Sequence, residues 1–174
     1  MSLHLAAILF TIVLLPGLLN AAGPSYRVER ITDGDTLEAS DGNLHFKVRL
    51  AGIDAPEKNQ PFGKVAKEVL ARLVSGKSVG IEYLGLDPYN RIIGRIISEG
   101  QDVSLLLMLQ GLAFYYRPGC VDYEPDRGRH YTYDIRPYVK AEQDARAKKV
   151  GMYAVAVIPE LPCMYRHNKK AHSK

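Results

Sequence analysis

The sequence predicts an α+β domain built on a small five-stranded barrel with about three helices. Three observations carry that reading: early short segments alternate apolar and polar residues, helical stripes come between and after the strands, and turn-forming residues separate the elements. A length of 174 residues leaves room for one ordinary domain. With 47% apolar and 24% charged residues the composition is that of a globular chain, which excludes wholesale disorder and fibrous repeats.

The first strand runs over Tyr26–Ile31, and two more follow at Thr36–Ser40 and Leu44–Leu50. Asp41-Gly42-Asn43 between them suits a tight hairpin. Pairing across it puts Leu37, Ala39, Leu44, Phe46, Val48 and Leu50 on one core face, and the same parity puts Asp33 and Asp35 at the open end of that face. Carboxylates at the rim of an apolar face are costly unless paired or metal-bound, which marks a site. Residues 63–75 repeat apolar pairs at 65/66, 69/70 and 73/74, one helical stripe with Gly76 as its stop. Val79, Ile81 and Tyr83 alternate as a strand, and residues 92–97 read as a buried one. A helix over 103–110 stops at Gly111, residues 117–135 form a long loop, and a last helix over 138–150 ends at Gly151.

The ends of the chain read differently from its body. Residues 3–15 are apolar except for His4 and Thr11, and Pro16-Gly17 and the small residues to Gly23 follow. A dozen apolar residues before an Ala-rich site reads as a secretory signal over 1–22, the alternative being an uncleaved N-terminal membrane anchor. The product is expected to be secreted or periplasmic, with residues 23–155 as the folded domain and 156–174 as a basic tail. In an oxidising compartment Cys120 and Cys163 favour a disulfide over two free thiols, closing a loop of about 40 residues and adding about 3–4 kcal/mol. The net charge of +4 allows a polyanionic partner without requiring one. Residues 26–57 nevertheless carry seven acids against four bases, a segment able to hold a cation that a phosphate then meets.

Four pieces carry chemistry: Asp33-Gly34-Asp35-Thr36, then Arg49-Leu-Ala-Gly-Ile-Asp54-Ala-Pro56-Glu57, then Asp87-Pro-Tyr89-Asn-Arg91, and the helix that ends at Gly151-Met-Tyr153. In this order they resemble the thermonuclease, or staphylococcal nuclease-like, family over residues 26–153. The resemblance implies an OB-type Greek-key β-barrel and a calcium-dependent phosphodiesterase acting on DNA and RNA. By motif, Asp35 and Asp54 match the carboxylate ligands of Ca²⁺, and Ala55 falls where the family supplies a backbone carbonyl. Glu57 matches the presumed general base, Arg49 and Arg91 the two arginines on the scissile phosphate, and Tyr89 a substrate-binding tyrosine. Pro88 stands where family members offer a phosphate-contacting lysine, and the stretch between Glu57 and Phe62-Gly63 is short.

Phosphodiester hydrolysis asks for these residue types on its own terms. Charge builds on the phosphoryl oxygens, so fixed guanidinium forks lower the barrier. Two carboxylates and a carbonyl make a hard oxygen site suited to Ca²⁺ or Mg²⁺ rather than zinc, and a nearby carboxylate accepts the proton of the attacking water. Plainer readings stand beside these. Asp35 caps a turn, Asp54 and Glu57 belong to a turn that starts a helix, and Arg91 is a surface arginine; strand alternation from Val48 points Arg49 away from the core face. Six of the eleven tyrosines lie in 115–138 among Arg117, Arg127, Arg129 and Arg136, which either stack bases or pack a loop on the barrel. The expected protein is a monomeric nuclease with DNA and RNA as substrates and no stable protein partner. Its rival is a non-catalytic OB-type nucleic-acid-binding module.

Overall fold

The computed structural model describes residues 24–120 and 133–171. The expected signal segment and Tyr123, Arg127, Arg129 and Tyr131 of the tyrosine-rich stretch lie outside the described residues.

Strand β1 (Ser25–Ile31) pairs antiparallel with β2 (Thr36–Ser40), which in turn pairs with β3 (His45–Leu50). On its other edge β1 pairs with β5 (Ser78–Leu86), and β5 with β6 (Ile92–Ser98). A parallel pairing of β6 with β3, through Val48 with Ile92 and Leu50 with Gly94, closes the ring. The result is a closed five-stranded mixed barrel of the OB type, whose strands have no unpaired edge around the ring. Inside it Leu37, Ala39, Val48, Leu50, Val79 and Ile96 are buried, as period-two alternation requires.

Between the two halves of the barrel lie β4 (Ile53–Asp54) and α1 (Gly63–Val74); after β6 come β7 (Gln101–Asp102) and α2 (Val103–Leu109). Helix α1 lays Ala66, Val69, Leu70 and Val74 into the same core. Asp102 caps α2 by accepting from the Ser104 and Leu105 amides, and it also accepts from the Tyr138 hydroxyl at 2.8 Å. Strand β8 (Phe114–Tyr115) pairs with β4, and α3 (Arg136–Ala147) backs β8. There the buried Glu142 accepts from the Tyr115 amide at 2.8 Å and from both Arg117 Nη1 and Nη2, at 3.1 and 3.0 Å. A fourth α-helix, α4 (Pro162–Ala171), is the last described element. Among the described residues no helix is long and apolar enough to cross a membrane.

Three details depart from the alternation pattern. Leu44 is 67% exposed instead of in the core, because the Asp41 carboxylate accepts from the Asn43 and Leu44 amides and draws Leu44 into the turn. Helix α3 begins at Arg136 and ends at Ala147, three residues short of the expected stop, where Lys149 takes a left-handed backbone (φ 51°). The segment expected as a basic tail contains α4, whose sequence shows no apolar stripe and whose anchors are distant: the Cys120–Cys163 disulfide and packing of Leu161 on Phe114, Ala145, Met152 and Tyr153.

The bend before β2 needs glycine for space. A Cβ on Gly34 would come within 2.8 Å of the Ala55 and Ala66 methyl carbons, so the bend seats directly on the start of α1 and on the segment after β4. Gly34→Ala is expected to cost about 1–3 kcal/mol in urea unfolding, the usual range for overpacking a tight core.

Candidate active site

Five side chains from four separate parts of the chain meet at one end of the barrel. Asp35 lies in the bend before β2, Arg49 near the end of β3, Asp54 on β4, Glu57 just beyond it, and Arg166 on α4. Strand alternation does carry Arg49 off the core face, opposite Thr36 in the β2–β3 register. It is still only 14% exposed, because Gly52 (φ 82°) turns the chain back so that Ile53 and Asp54 fold over it. The Arg49 fork then spans two carboxylates, Nη1 to Asp35 Oδ2 at 2.7 Å and Nη2 to Asp54 Oδ1 at 2.8 Å. Its carbon lies 5.8 Å from the centre of the Tyr116 ring.

Asp35 reaches this cluster by a different route from the one alternation implies. Regular pairing starts at Thr36; ahead of it Asp33 Oδ1 accepts from the Asp35 amide in a tight turn, and the Asp35 carboxylate swings toward Arg49. There it accepts from the Ala55 amide at 3.1 Å and from the Thr36 hydroxyl at 2.9 Å. Burial pushes its carboxyl up, but the Arg49 guanidinium and these hydrogen bonds outweigh burial and hold it below the usual carboxylate range. Asp33 faces no such cation among the described residues. Burial, with the neighbouring Asp35 charge, raises it to about 6.

Glu57 is held at both ends. Its amide donates to Gln60 Oε1 at 2.8 Å, its carbonyl accepts from the Gln60 amide at 2.8 Å, and its carboxylate accepts from Arg166 Nη1 at 2.6 Å. Arg166 also reaches both oxygens of Asp54, at 3.2 and 3.0 Å. Arg91 arrives from the start of β6. Its Nε donates to Asp87 Oδ2 at 2.7 Å, and its Nη1 lies 3.5 Å from the Thr36 hydroxyl that binds Asp35. Tyr89, 76% exposed, sits with its ring 5.6 Å from the Arg91 guanidinium. Cys120 and Cys163 are joined as a disulfide.

The motif residues Asp35, Arg49, Asp54, Ala55 and Glu57 thus lie in one cluster, with Arg91 linked to it through Thr36. Residues 47–155 match the staphylococcal nuclease homologue family. The chain belongs to that family. It is 38% identical over 129 residues to an uncharacterised endonuclease of Haemophilus influenzae, covering 74% of this chain and 65% of that protein. An uncharacterised endonuclease of Escherichia coli is 33% identical over 144 residues, 82% of this chain and 85% of its own. A staphylococcal-like nuclease of Arabidopsis thaliana is 35% identical over 126 residues, 72% of this chain and 34% of its own. The chain is accordingly an enzyme of the nuclease class, a family that implies a nucleic-acid substrate.

The donor set suits the divalent ion that the family implies. Three carboxylates (Asp35, Asp54, Glu57) face two guanidinium groups (Arg49, Arg166), which leaves the cluster one charge negative, and the two most buried acids offer hard oxygens. Among the described residues no group of three or more His, Cys, Asp or Glu side chains is arranged to hold a metal. A hard ion here would be held by Asp35, Asp54 and a backbone carbonyl. Sequence reasoning missed Arg166 and Gln60. Motif spacing carries no signal for either, since Arg166 lies beyond residue 155, the end of the family match, and Gln60 is a loop residue without a charge.

The raised Asp33 sets a sign for pH. Its folded carboxyl holds a proton more tightly than the unfolded one, so its contribution to stability is complete below about pH 4 and is lost as pH rises through about 6. Asp33→Asn keeps the Oδ1 acceptor. With chelator present, it is expected to exceed wild type by about 1–2 kcal/mol at pH 8, with no difference near pH 3.5, in thermal or urea unfolding.

Proposed function

We propose that this nuclease hydrolyses phosphodiester bonds of DNA and RNA with broad sequence specificity, depends on calcium, and acts outside the cytoplasm as a monomer. The observation that carries the reading is the Arg49 fork between Asp35 and Asp54, with Glu57 anchored beside it. It brings the family's proposed cation ligands, base and phosphate arginine within one cluster.

In this reading Arg49 and Arg91 hold the non-bridging oxygens of the phosphodiester and stabilise the charge that develops on them. Arg91 is pre-set for this by its bond to Asp87, and Arg49 by its two carboxylates. Glu57 accepts a proton from the attacking water as its oxygen bonds to phosphorus; the opposite P–O ester bond breaks, and the departing oxygen takes a proton from solvent. Asp35, Asp54 and the Ala55 carbonyl would hold the calcium ion, whose positive charge would polarise a phosphoryl oxygen. Every group named addresses the phosphate rather than a base edge, which supports breadth over sequence and over sugar type. Tyr89, exposed beside Arg91, offers a ring face for an adjacent base or sugar. The apolar residues 3–15 and the Cys120–Cys163 disulfide support an exported enzyme.

Product analysis on a short labelled oligonucleotide tests the reading. Cleavage of both the DNA and the RNA form is expected with calcium and none with excess chelator; a pure protein that binds the oligonucleotide without cutting it is the binding module instead. Arg91→Lys is expected to lower turnover about 10²-fold, because an ammonium cannot span two phosphate oxygens; a loss under threefold removes Arg91 from the reaction. Glu57→Gln is expected to reduce rate far more than calcium affinity. Equal losses in both would make Glu57 mainly a ligand.

A further inference from the structure

Helix α4 lies beyond residues 47–155, the span matched by the family, yet it delivers a guanidinium to the centre of the site. Arg166 bonds Glu57 at 2.6 Å and both oxygens of Asp54 at 3.2 and 3.0 Å. Three independent contacts fix the helix in that place. Cys163, one helical turn before Arg166 and so on the same face, is bonded to Cys120. Gln60, whose side-chain oxygen accepts from the Glu57 amide, donates through Nε2 to the Glu160 carbonyl at 3.1 Å. Leu161 packs on the cluster of Phe114, Ala145, Met152 and Tyr153. The backbone of Glu57, through Gln60, and its carboxylate, through Arg166, are therefore both tied to one C-terminal segment.

We propose that Arg166 is a positioning residue of this nuclease, which holds the Glu57 carboxylate beside Asp54, and that the Cys120–Cys163 disulfide is the tether that presents it. The inference rests on the role given to Glu57 above. Glu57 lies in a loop and its side chain is one-third exposed, so packing alone does not select the rotamer that aims it into the site. A planar fork that grips Asp54 with two nitrogens and Glu57 with one of them selects it. Asp54 is fixed in turn by Arg49, so Arg166 refers the more exposed acid to the buried one. The disulfide is the covalent member of this set, and breaking it weakens the hold that keeps the fork on Glu57 and Asp54.

The test uses the full oxidised protein and compares wild type, Arg166→Gln, Arg166→Lys, the double Cys120→Ser/Cys163→Ser variant, and that double variant combined with Arg166→Gln. Rates on the labelled oligonucleotide give kcat and KM, titration calorimetry gives calcium affinity, and melting curves report folding. For Arg166→Gln a 10–100-fold fall in kcat is expected with KM within threefold and calcium bound at least as tightly as by wild type, since a competing cation has been removed. Arg166→Lys, which keeps the charge and one donor to Glu57, is expected to recover part of that loss. It also stands in should the Gln variant fail to fold. The double serine variant is expected to lose kcat as well, and adding Arg166→Gln to it is expected to cost little more, because both changes remove one contact. An Arg166→Gln enzyme with kcat within twofold of wild type overturns the proposal. So does one that binds calcium tenfold more tightly and cuts faster, which would make Arg166 an occluding group. A wild-type protein that does not cut at all refutes the calcium-nuclease reading itself, a result no variant comparison can imitate.

Discussion

One guanidinium between two buried acids governs this end of the molecule. Asp35 and Asp54 are almost fully buried, and two ionised carboxylates cannot stay so without compensation. Arg49 supplies it, and to do so it must stand where the bend before β2, the end of β3 and the short strand β4 come together. Each of those placements has its own cause. The bend is seated by Gly34 on Ala55 and Ala66, the end of β3 is locked by pairing with both β2 and β6, and β4 is carried back by the left-handed turn at Gly52. Removing Arg49 takes from the buried Asp35 the guanidinium that holds it charged, which is more damaging than never having had the pair. The charge balance is in keeping with the proposed chemistry: three acids face two guanidinium groups, and the arginines are already fixed by their carboxylates.

Most of the barrel was legible because period two is a strong signal and the turns between strands carry Gly, Asp and Asn. The failures were local and have local causes. Leu44 fits the alternation by parity, yet one carboxylate, that of Asp41, captures two amides and removes it from the strand. The direction of Arg49 follows from Val48, but what waits there depends on a chain reversal that a single glycine permits, and parity says nothing about reversals. Asp35 likewise reaches the site through a tight turn rather than through the strand pattern that Thr36 begins.

Motif order carried the rest of the site, and it carried it only as far as the motifs extend. Within Asp33–Arg91 each charged residue of the cluster could be named from its neighbours in the chain. Arg166 could not. It sits 109 residues from Glu57, in a helix with no apolar stripe, held by a disulfide and by side chains whose partners are remote in sequence. Cysteine number hinted that the tail is tied down, but not to what. Long-range polar contacts leave no periodic trace, so this part of the site shows only in the folded chain.

The buried Arg117–Glu142 pair behind β8 has a bearing on the strand that carries Asp54. Glu142 carries the Tyr115 amide, β8 is the sole strand paired with β4 among the described residues, and β4 carries Asp54. A loosening of α3 is therefore transmitted to the reaction centre through a two-residue ladder, without any neighbour of the substrate being altered. A substitution in α3 thus has a route to the stiffness of the strand that carries Asp54, although α3 itself stands behind the cluster.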